Sequence, residues 1–190
     1  MKLSTLKSWT AALLTVSCFS VFAGEYKIDL GHSYLMFAVK HMGAGMNYGR
    51  FNEFEGSINY DKANPSAMSM NVTVKAESID TGMERRDGHL RSPDFFNAKQ
   101  FATVTFKSTK TEVKGDVMMV TGDFTMLGVT KTVTFNMTHT GEGKTRDGGA
   151  LHGFQGTAKI KRSDYGMNYG IDNGALADEV ELIVSVEVKG

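Results

Sequence analysis

Charged or titratable side chains cluster within fifteen residues near the middle of the chain, and seven of them are the first candidates for chemistry. They are Asp80, Arg85, Arg86, Asp87, His89, Arg91 and Asp94. Carboxylates and imidazoles supply general acids and bases. The planar donor fork of arginine suits a phosphate head group. The cluster therefore admits three interpretations: acid–base catalysis, a salt-bridge network that pins a short helix, or a head-group rim formed by Arg86, His89 and Arg91.

The histidines do not form a metal-binding motif. There are five of them, at positions 32, 41, 89, 139 and 152, and none stands at an H-x-x-x-H spacing or beside a cysteine. Whether His32 and His41 meet other ligand residues across the fold stays open. The chain also lacks a G-x-S-x-G elbow, a P-loop and a dinucleotide fingerprint that opens a helix. We therefore predict no metal, no cofactor and no enzymatic activity, while an enzyme acting on a lipid remains the alternative.

The N-terminal segment has the three parts of a secretory signal peptide. Lys2 and Lys7 precede an uncharged apolar stretch at 9–22, which ends in Val21-Phe22-Ala23. That stretch is shorter than the roughly 20 apolar residues that a spanning helix needs. The sequence predicts a signal peptide at 1–23, a single domain at 24–190 and a periplasmic location. Cleavage would remove the only cysteine, Cys18, so the remaining chain would form no disulfide.

The charge balance excludes some partners. After cleavage, 19 basic residues would face 21 acidic ones, with no basic tract. Nucleic-acid binding requires a basic patch or stripe, which this chain does not have. An anionic membrane surface is likewise not favoured as a partner, and no stable membrane insertion is expected. The oligomeric state stays open, a homodimer included.

The elements that must position any site are strands, because apolar residues recur with period two. Alternation of this kind is typical of antiparallel strands with one dry face and one wet face. About eight strands are predicted, separated by Gly, Asn and Asp clusters such as Gly141-Glu142-Gly143. They lie near 34–42, 51–61, 68–76, 102–110, 117–126, 129–138, 154–162 and 179–188.

One region breaks the alternation between the third and fourth strands. Thr81 and Glu84 have the spacing of a capping box, which predicts a short helix through about Leu90. Ser92-Pro93-Asp94 looks like a second helix start. The glycine-rich segment 43–49 is interpreted as a flexible hairpin tip, and 166–170 repeats its Met-Asn-Tyr-Gly.

Eight antiparallel strands leave exposed edges unless the sheet closes into a barrel or pairs face to face in a sandwich. A filled core and a hollow lumen both stay open, since an eight-stranded barrel accommodates either. Phe and Met dominate the face that we predict to point inward, and Met suits an adaptable apolar wall. By strand parity the predicted lumen residues are Phe37, Val39, Phe51, Phe54, Met70, Phe106, Phe124, Met126, Phe135, Met137 and Phe154.

Five spaced segments resemble the YceI-like family. The central one runs Ser78-Ile79-Asp80-Thr81-Gly82, Arg86-Asp87, His89-Leu90-Arg91-Ser92 and Asp94-Phe95-Phe96. The others are His32-Ser33 with 37–41, 54–56, 128–131, and Arg162-Ser163-Asp164-Tyr165-Gly166. Asn97, where members often carry Asp, and Gln100-Phe101, in place of a frequent Tyr-Pro, are mild departures.

The resemblance implies an all-β fold: an eight-stranded antiparallel lipocalin-like barrel with the short helical insert. It also implies a periplasmic, non-enzymatic binding protein whose apolar lumen holds a polyisoprenoid or similar long-chain amphiphile. The expected partner is therefore a long-chain isoprenoid-type lipid. A further alternative is an envelope stress protein whose barrel is filled by its own side chains.

Overall fold

The computed structural model describes residues 24–190, so the predicted signal peptide lies outside the described residues. These residues form eleven strands and one α-helix, α1 (Glu84–Leu90). The strands are β1 (Gly24–Ile28), β2 (Tyr34–His41), β3 (Gly45–Phe51), β4 (Phe54–Tyr60), β5 (Ser69–Lys75), β6 (Ile79–Asp80), β7 (Thr103–Lys114), β8 (Val117–Met126), β9 (Val129–Lys144), β10 (Ala150–Lys161) and β11 (Leu176–Lys189).

The strands close into an antiparallel barrel. β1 pairs with β4 on one side and with the end of β11 on the other, which joins the two edges of the sheet. Three of the long strands are interrupted once and consist of two segments each: β1 with β2, β3 with β4, and β5 with β6. The β2–β3 pairing continues the β1–β4 ladder, and the β3–β6 pairing continues the β4–β5 ladder. The barrel therefore has eight strands, which confirms the predicted all-β fold. Closure removes the exposed edges that an open sheet would present.

Two loop predictions were wrong. Residues 43–49 are not a flexible tip, since only 42–44 make the turn and β3 begins at Gly45, with Asn47 opposite Val39. Gly141 does not end a strand either, because it pairs with Gly153 inside the β9–β10 hairpin. In both cases the partner strand satisfies the backbone hydrogen bonds of a glycine-containing segment, and this pairing overrides the turn preference of the residues.

The helical insert lies between the third and fourth long strands, as predicted, but its start differs. The residue that caps α1 is Met83, without a side-chain hydrogen bond. The hydroxyl of Thr81 donates to the carboxylate of Asp87 instead, so the capping box is absent. No second helix follows Ser92; the segment turns back so that Phe95 is buried in the core. Burial of this ring outweighs the local helix signal of Ser92-Pro93.

The apolar faces of the strands point inward. Residues of β11 serve as markers of depth along the barrel. Leu176 lies opposite His41 at the end nearest α1, Leu182 lies opposite Phe37, and Val188 lies opposite His152 at the far end. Between residues 24 and 190, no helix has the length and apolarity needed to cross a bilayer.

Candidate ligand-binding site

A cavity of about 510 Å³ opens at the end of the barrel nearest α1. This volume lies within the roughly 300–1,000 Å³ that small-molecule sites occupy. Its wall is mainly apolar and aromatic, and it includes Phe37, Val39, Phe51, Leu90, Phe95, Phe96, Val104, Phe124, Met126, Ile160, Met167, Leu176, Val180 and Leu182. The upper barrel is therefore hollow, unlike the filled lumen of the stress-protein alternative.

Three segments surround the mouth: the β2–β3 hairpin, the insert with α1, and the segment that joins β10 to β11. Tyr48 and Tyr169 contribute exposed rings from the two Met-Asn-Tyr-Gly repeats, and both line the cavity. The ring of His89 packs edge-on against Tyr169 with centroids 5.0 Å apart, and against Phe95 at the same distance. The two repeats therefore lie at the same mouth, although the first belongs to the β2–β3 hairpin and the second to the segment that joins β10 to β11.

Gly49 explains how one wall residue is accommodated. A methyl group at this position would collide with the ring of Phe37 and with Thr81. The missing side chain lets the Phe37 ring lie across β3, where it packs against Phe51 with centroids 6.0 Å apart. Glycine here shapes the cavity wall by its small size.

The eleven predicted lumen residues fall into three groups according to the cavity that they line. Phe37, Val39, Phe51, Phe124 and Met126 line the large cavity. A second cavity of about 80 Å³ lies deeper and is lined by Met70, Phe106 and Phe135, again with Phe51 and Phe124. Phe54, Met137 and Phe154 line neither cavity and are buried in the packed core. Contact of any of them with a ligand stays a prediction.

The far end of the barrel is closed by packed side chains. Met137 and Val188 have no exposed surface, and Phe154 is 1 % exposed. Nε2 of His139 lies 3.2 Å from Nδ1 of His152, so one imidazole donates a hydrogen bond to the other. The Tyr60 ring packs against both imidazoles and against Phe154. The lumen therefore has its mouth at the α1 end.

The imidazole pair predicts a pH dependence of stability. Burial lowers the pKa of His152, and the nearby His139 lowers this pKa further. A histidine whose pKa is lower in the folded state than its unfolded value of about 6.5 binds protons preferentially in the unfolded state. Its contribution is therefore complete above that value and is lost as the pH falls below it. We expect acidification from pH 7.5 to 5.0 to lower the melting temperature of the wild type more than that of His152→Gln, measured by scanning calorimetry.

His32 provides the control for this measurement because its effect has the opposite sign. The hydrogen bond that His32 Nδ1 donates to the carboxylate of Asp29 raises the pKa of His32, so its contribution is present at low pH and is lost as the pH rises. His32→Gln should therefore show a steeper loss on acidification than the wild type. The same decrease in melting temperature on acidification for His152→Gln and the wild type would show that the partly buried imidazole pair does not govern the dependence.

The three residues of the predicted rim do not act alike. Arg86 lines the cavity, and its Nε and Nη2 donate to the hydroxyl and carbonyl of Thr81 at 2.6 and 2.8 Å. His89 also lines the cavity, with Nε2 2.8 Å from Asp94. Arg91 lies outside the lining and pairs with Glu84 at 3.3 Å. The structure thus brings Arg86 and His89 to the mouth and places Arg91 beside the helix.

Asp87 has a structural position. It is 4 % exposed, and the backbone N–H of Thr81 donates to its carboxylate at 2.9 Å. The Thr81 hydroxyl donates to the same oxygen. These bonds fasten α1 to the end of β6, so the carboxylate is engaged in the network that positions the helix.

Replacing Asp87 with asparagine is therefore expected to lower the free energy of unfolding by about 1–3 kcal/mol, since a buried acceptor network is disturbed. Urea denaturation measures this change. Asp94→Asn is the matched control: it removes a mainly exposed carboxylate that pairs with His89, and it should cost less than about 1 kcal/mol. Equal stabilities of the two variants would contradict the structural role of Asp87.

Arg162 is a cavity residue that the sequence reasoning did not include. It is 3 % exposed and lines the large cavity. Nε, Nη1 and Nη2 donate to the carbonyls of Ala177, Met167 and Leu176 at 2.9, 3.0 and 3.2 Å. Burial lowers the pKa of Arg162, and Asp178 partly offsets this effect. Strand parity could have found it, because Ala158, Ile160 and Arg162 follow one another at inward positions.

One cluster outside the cavity contains metal-ligand residue types. Asp29, His32 and Glu187 have ligand atoms within 4.8 Å of one another, the only such group among residues 24–190. Nζ of Lys189 lies 3.6 Å from Asp29 and already supplies a positive charge there. The cluster therefore forms ion pairs at the surface of the barrel.

Comparison with known proteins identifies relatives along nearly the whole described chain. The YceI-like domain family matches residues 26–188. Protein YceI of Salmonella arizonae is 41 % identical over 184 residues, covering 96 % of this chain and 95 % of the relative. The crystal structure of Burkholderia cenocepacia BcnA has a TM-score of 0.77 at 27 % identity, covering 84 % of this chain and 98 % of that one. A polyisoprenoid binding domain from Saccharophagus degradans, implicated in plant cell wall breakdown, shares the fold with a TM-score of 0.66 at 16 % identity, covering 89 % and 99 %.

Proposed function

Because this chain belongs to the YceI-like family, we propose that it is a periplasmic binding protein for a polyisoprenoid or a similar long-chain amphiphile. It holds the ligand in the barrel lumen for transport, storage or sequestration. The observation that carries the proposal is the apolar cavity of about 510 Å³ with its mouth at one end of the barrel.

The wall of this cavity suits an apolar chain. Each methylene that leaves water contributes about 0.8 kcal/mol, and a chain of repeated apolar units gains this along its length. Phe51, Phe124 and Leu182 line both the large cavity and the deeper one of about 80 Å³. A tail that passes these three side chains enters the deeper space. Because Met70 lines that space and methionine adopts many rotamers at low cost, the wall can adjust to tails of different shape.

Binding without catalysis is the better-supported role for the charged cluster. Asp87 is buried in hydrogen bonds to Thr81. His89 contacts Asp94 and two aromatic rings at the mouth. A general base needs access to the proton that it removes, and Asp87 is engaged by Thr81. The Saccharophagus domain, described as polyisoprenoid binding, supports a lipid ligand for this fold.

The location rests on the N-terminal sequence. The basic start, the apolar stretch at 9–22 and the small residue at Ala23 support export with cleavage after Ala23. Sequencing the N-terminus of protein purified from the periplasm tests this, and Gly24 is the expected first residue. An N-terminus at Met1 in that fraction would contradict cleavage.

The binding proposal is tested on protein purified from its own periplasm without detergent. Native mass spectrometry should show a species heavier than the polypeptide, and organic extraction should release a long-chain lipid. The same chain from Gly24, produced in the cytoplasm and stripped of lipid, is the control, and it should bind a neutral fluorescent probe such as N-phenyl-1-naphthylamine. Absence of both a copurified lipid and probe binding would contradict the proposal.

A further inference from the structure

We propose that the amphiphile has an anionic head group, a phosphate or a carboxylate, and that this head lies inside the mouth beside Arg162 and Arg86. The inference rests on the proposed function, since it assumes that the cavity holds a lipid. It adds the charge of the ligand and the direction in which it lies, with the head near α1 and the tail toward Phe135.

The charge of the cavity wall carries the argument. The lining includes two arginines, Arg86 and Arg162, and two histidines, His41 and His89. It includes no aspartate and no glutamate. The large apolar remainder of the wall keeps the local dielectric low, and positive charge acts more strongly there than in water. An acid-free wall with two fixed cations therefore favours an anion over a neutral or cationic head group.

Arg162 is the more telling of the two arginines because its charge is buried without a direct ion pair. No carboxylate lies within 4.0 Å of its guanidinium in the described part of the chain. The nearby Asp178 accepts hydrogen bonds from the backbone N–H and hydroxyl of Ser163 at 2.9 and 2.8 Å. Buried charges are almost always paired, since removing an ion from water is costly.

The guanidinium of Arg162 also keeps hydrogen-bonding capacity. It has five N–H donors, and three of them are used by the carbonyls of Ala177, Met167 and Leu176. These three bonds fix the plane of the group in the cavity wall. Two N–H donors are left, and an oxyanion that approaches through the cavity supplies both an acceptor for them and a direct ion pair.

Arg86 repeats this arrangement nearer the mouth. Its Nε and Nη2 donate to Thr81, and no carboxylate lies within salt-bridge distance among residues 24–190. Asp87, its sequence neighbour, is occupied by Thr81. Nη1 makes no hydrogen bond within the described chain. Arg86 is half-buried, so it can meet an entering anion before the tail is fully enclosed.

The test compares ligands that share a tail and differ in head charge. Farnesyl phosphate and farnesol, and separately hexadecanoate and hexadecanol, are titrated against the lipid-stripped chain loaded with N-phenyl-1-naphthylamine, a neutral probe. We expect each anion to displace the probe at least tenfold more effectively than its alcohol at pH 8. The phosphate and carboxylate pairs separate the two head-group chemistries.

Matched variants assign the preference to the cavity. Arg86→Gln should reduce the ratio of anion affinity to alcohol affinity several-fold. Arg85→Gln removes an exposed charge one residue away that does not line the cavity, and it should behave like the wild type. Arg86→Gln removes two hydrogen bonds to Thr81, whereas an Arg162 substitution would remove bonds to three separate backbone carbonyls. Melting temperatures establish that each variant is folded.

The outcomes separate this inference from the function on which it rests. Equal displacement by anion and alcohol, or equal effects of Arg85→Gln and Arg86→Gln, overturns the anionic head group and leaves lipid binding intact. Failure of all four amphiphiles to displace or bind overturns the binding function itself. A tenfold anion preference that shrinks only in Arg86→Gln supports both.

Discussion

Replacing Leu182 with tryptophan is expected to reduce the affinity for a long-chain amphiphile by on the order of 100-fold while the barrel remains folded. Leu182 lies opposite Phe37 and lines both the large and the deeper cavity. Because Leu182 belongs to the wall of both cavities, a bulkier ring at this position is expected to exclude the tail from the deeper one. Exclusion of about four methylenes from the lumen forfeits roughly 3 kcal/mol of tail burial, which corresponds to the stated loss. Probe displacement by hexadecanoate measures it.

Ser185→Trp is the matched control for this prediction. Ser185 belongs to the same strand, β11, but its side chain is exposed on the outer face of the barrel. Tryptophan there should leave the affinity unchanged. Short amphiphiles whose tails end between the mouth and Leu182 should also lose less affinity than long ones. A Leu182→Trp protein that binds hexadecanoate like the wild type would place the ligand outside the lumen.

Replacing Phe154 with alanine is expected to destabilise the protein by about 3–5 kcal/mol, the range measured for deletion of a buried phenylalanine ring. Phe154 is 1 % exposed and packs against Tyr60, His139 and His152. For a domain of this size each kcal/mol lowers the melting temperature by roughly 2–4 °C, so a decrease on the order of 10 °C is expected. Calorimetry and urea titration measure it.

Gln155→Ala, at the next residue, is the control for Phe154→Ala. Gln155 is exposed on the outer face of β10, and its ladder bonds are made by the backbone. Its replacement should change the free energy of unfolding by less than about 0.5 kcal/mol. If Phe154→Ala proved as stable as Gln155→Ala, the packed far end would not contribute to the stability of the barrel.

Period-two alternation predicted the parts of the fold in which each strand has one dry and one wet face. β8, from Val117 to Met126, alternates between buried and partly exposed residues and was predicted with its observed bounds. β1 was missed, because Gly24–Ile28 is short and contains two charged residues. Its pairing with β4 and β11, which closes the barrel, is a long-range contact that local sequence does not encode.

Strand alternation predicted which residues face the lumen, but not how deep in the barrel each of them lies. Phe37 and Phe154 both point inward as predicted, yet one lines the large cavity and the other fills the closed end. The difference depends on how side chains from opposite strands meet, which alternation within one strand does not report. Arg162 was overlooked for a related reason: its inward parity was readable, but a charge is not expected to face an apolar lumen.

The histidine pair could not be predicted because of an irregularity in strand pairing. The register between β9 and β10 shifts between Gly153 and Phe154, which brings His139 opposite Phe154 and His152 opposite Glu142. This bulge places both imidazoles on the inner face at the same level. A bulge adds one residue to one strand, so parity counted through it would be wrong by one.

The closed far end has a consequence for the timing of exchange. With Phe154, Met137 and Val188 packed beneath the lumen, a lipid bound as we propose would leave through the opening by which it entered, and the end of its tail would emerge last. Each additional isoprene unit then adds to the length of tail that must leave the lumen, while the opening stays the same. The dwell time of a bound lipid should therefore increase with tail length more steeply than its rate of capture changes, so long chains persist in the barrel while short ones are exchanged.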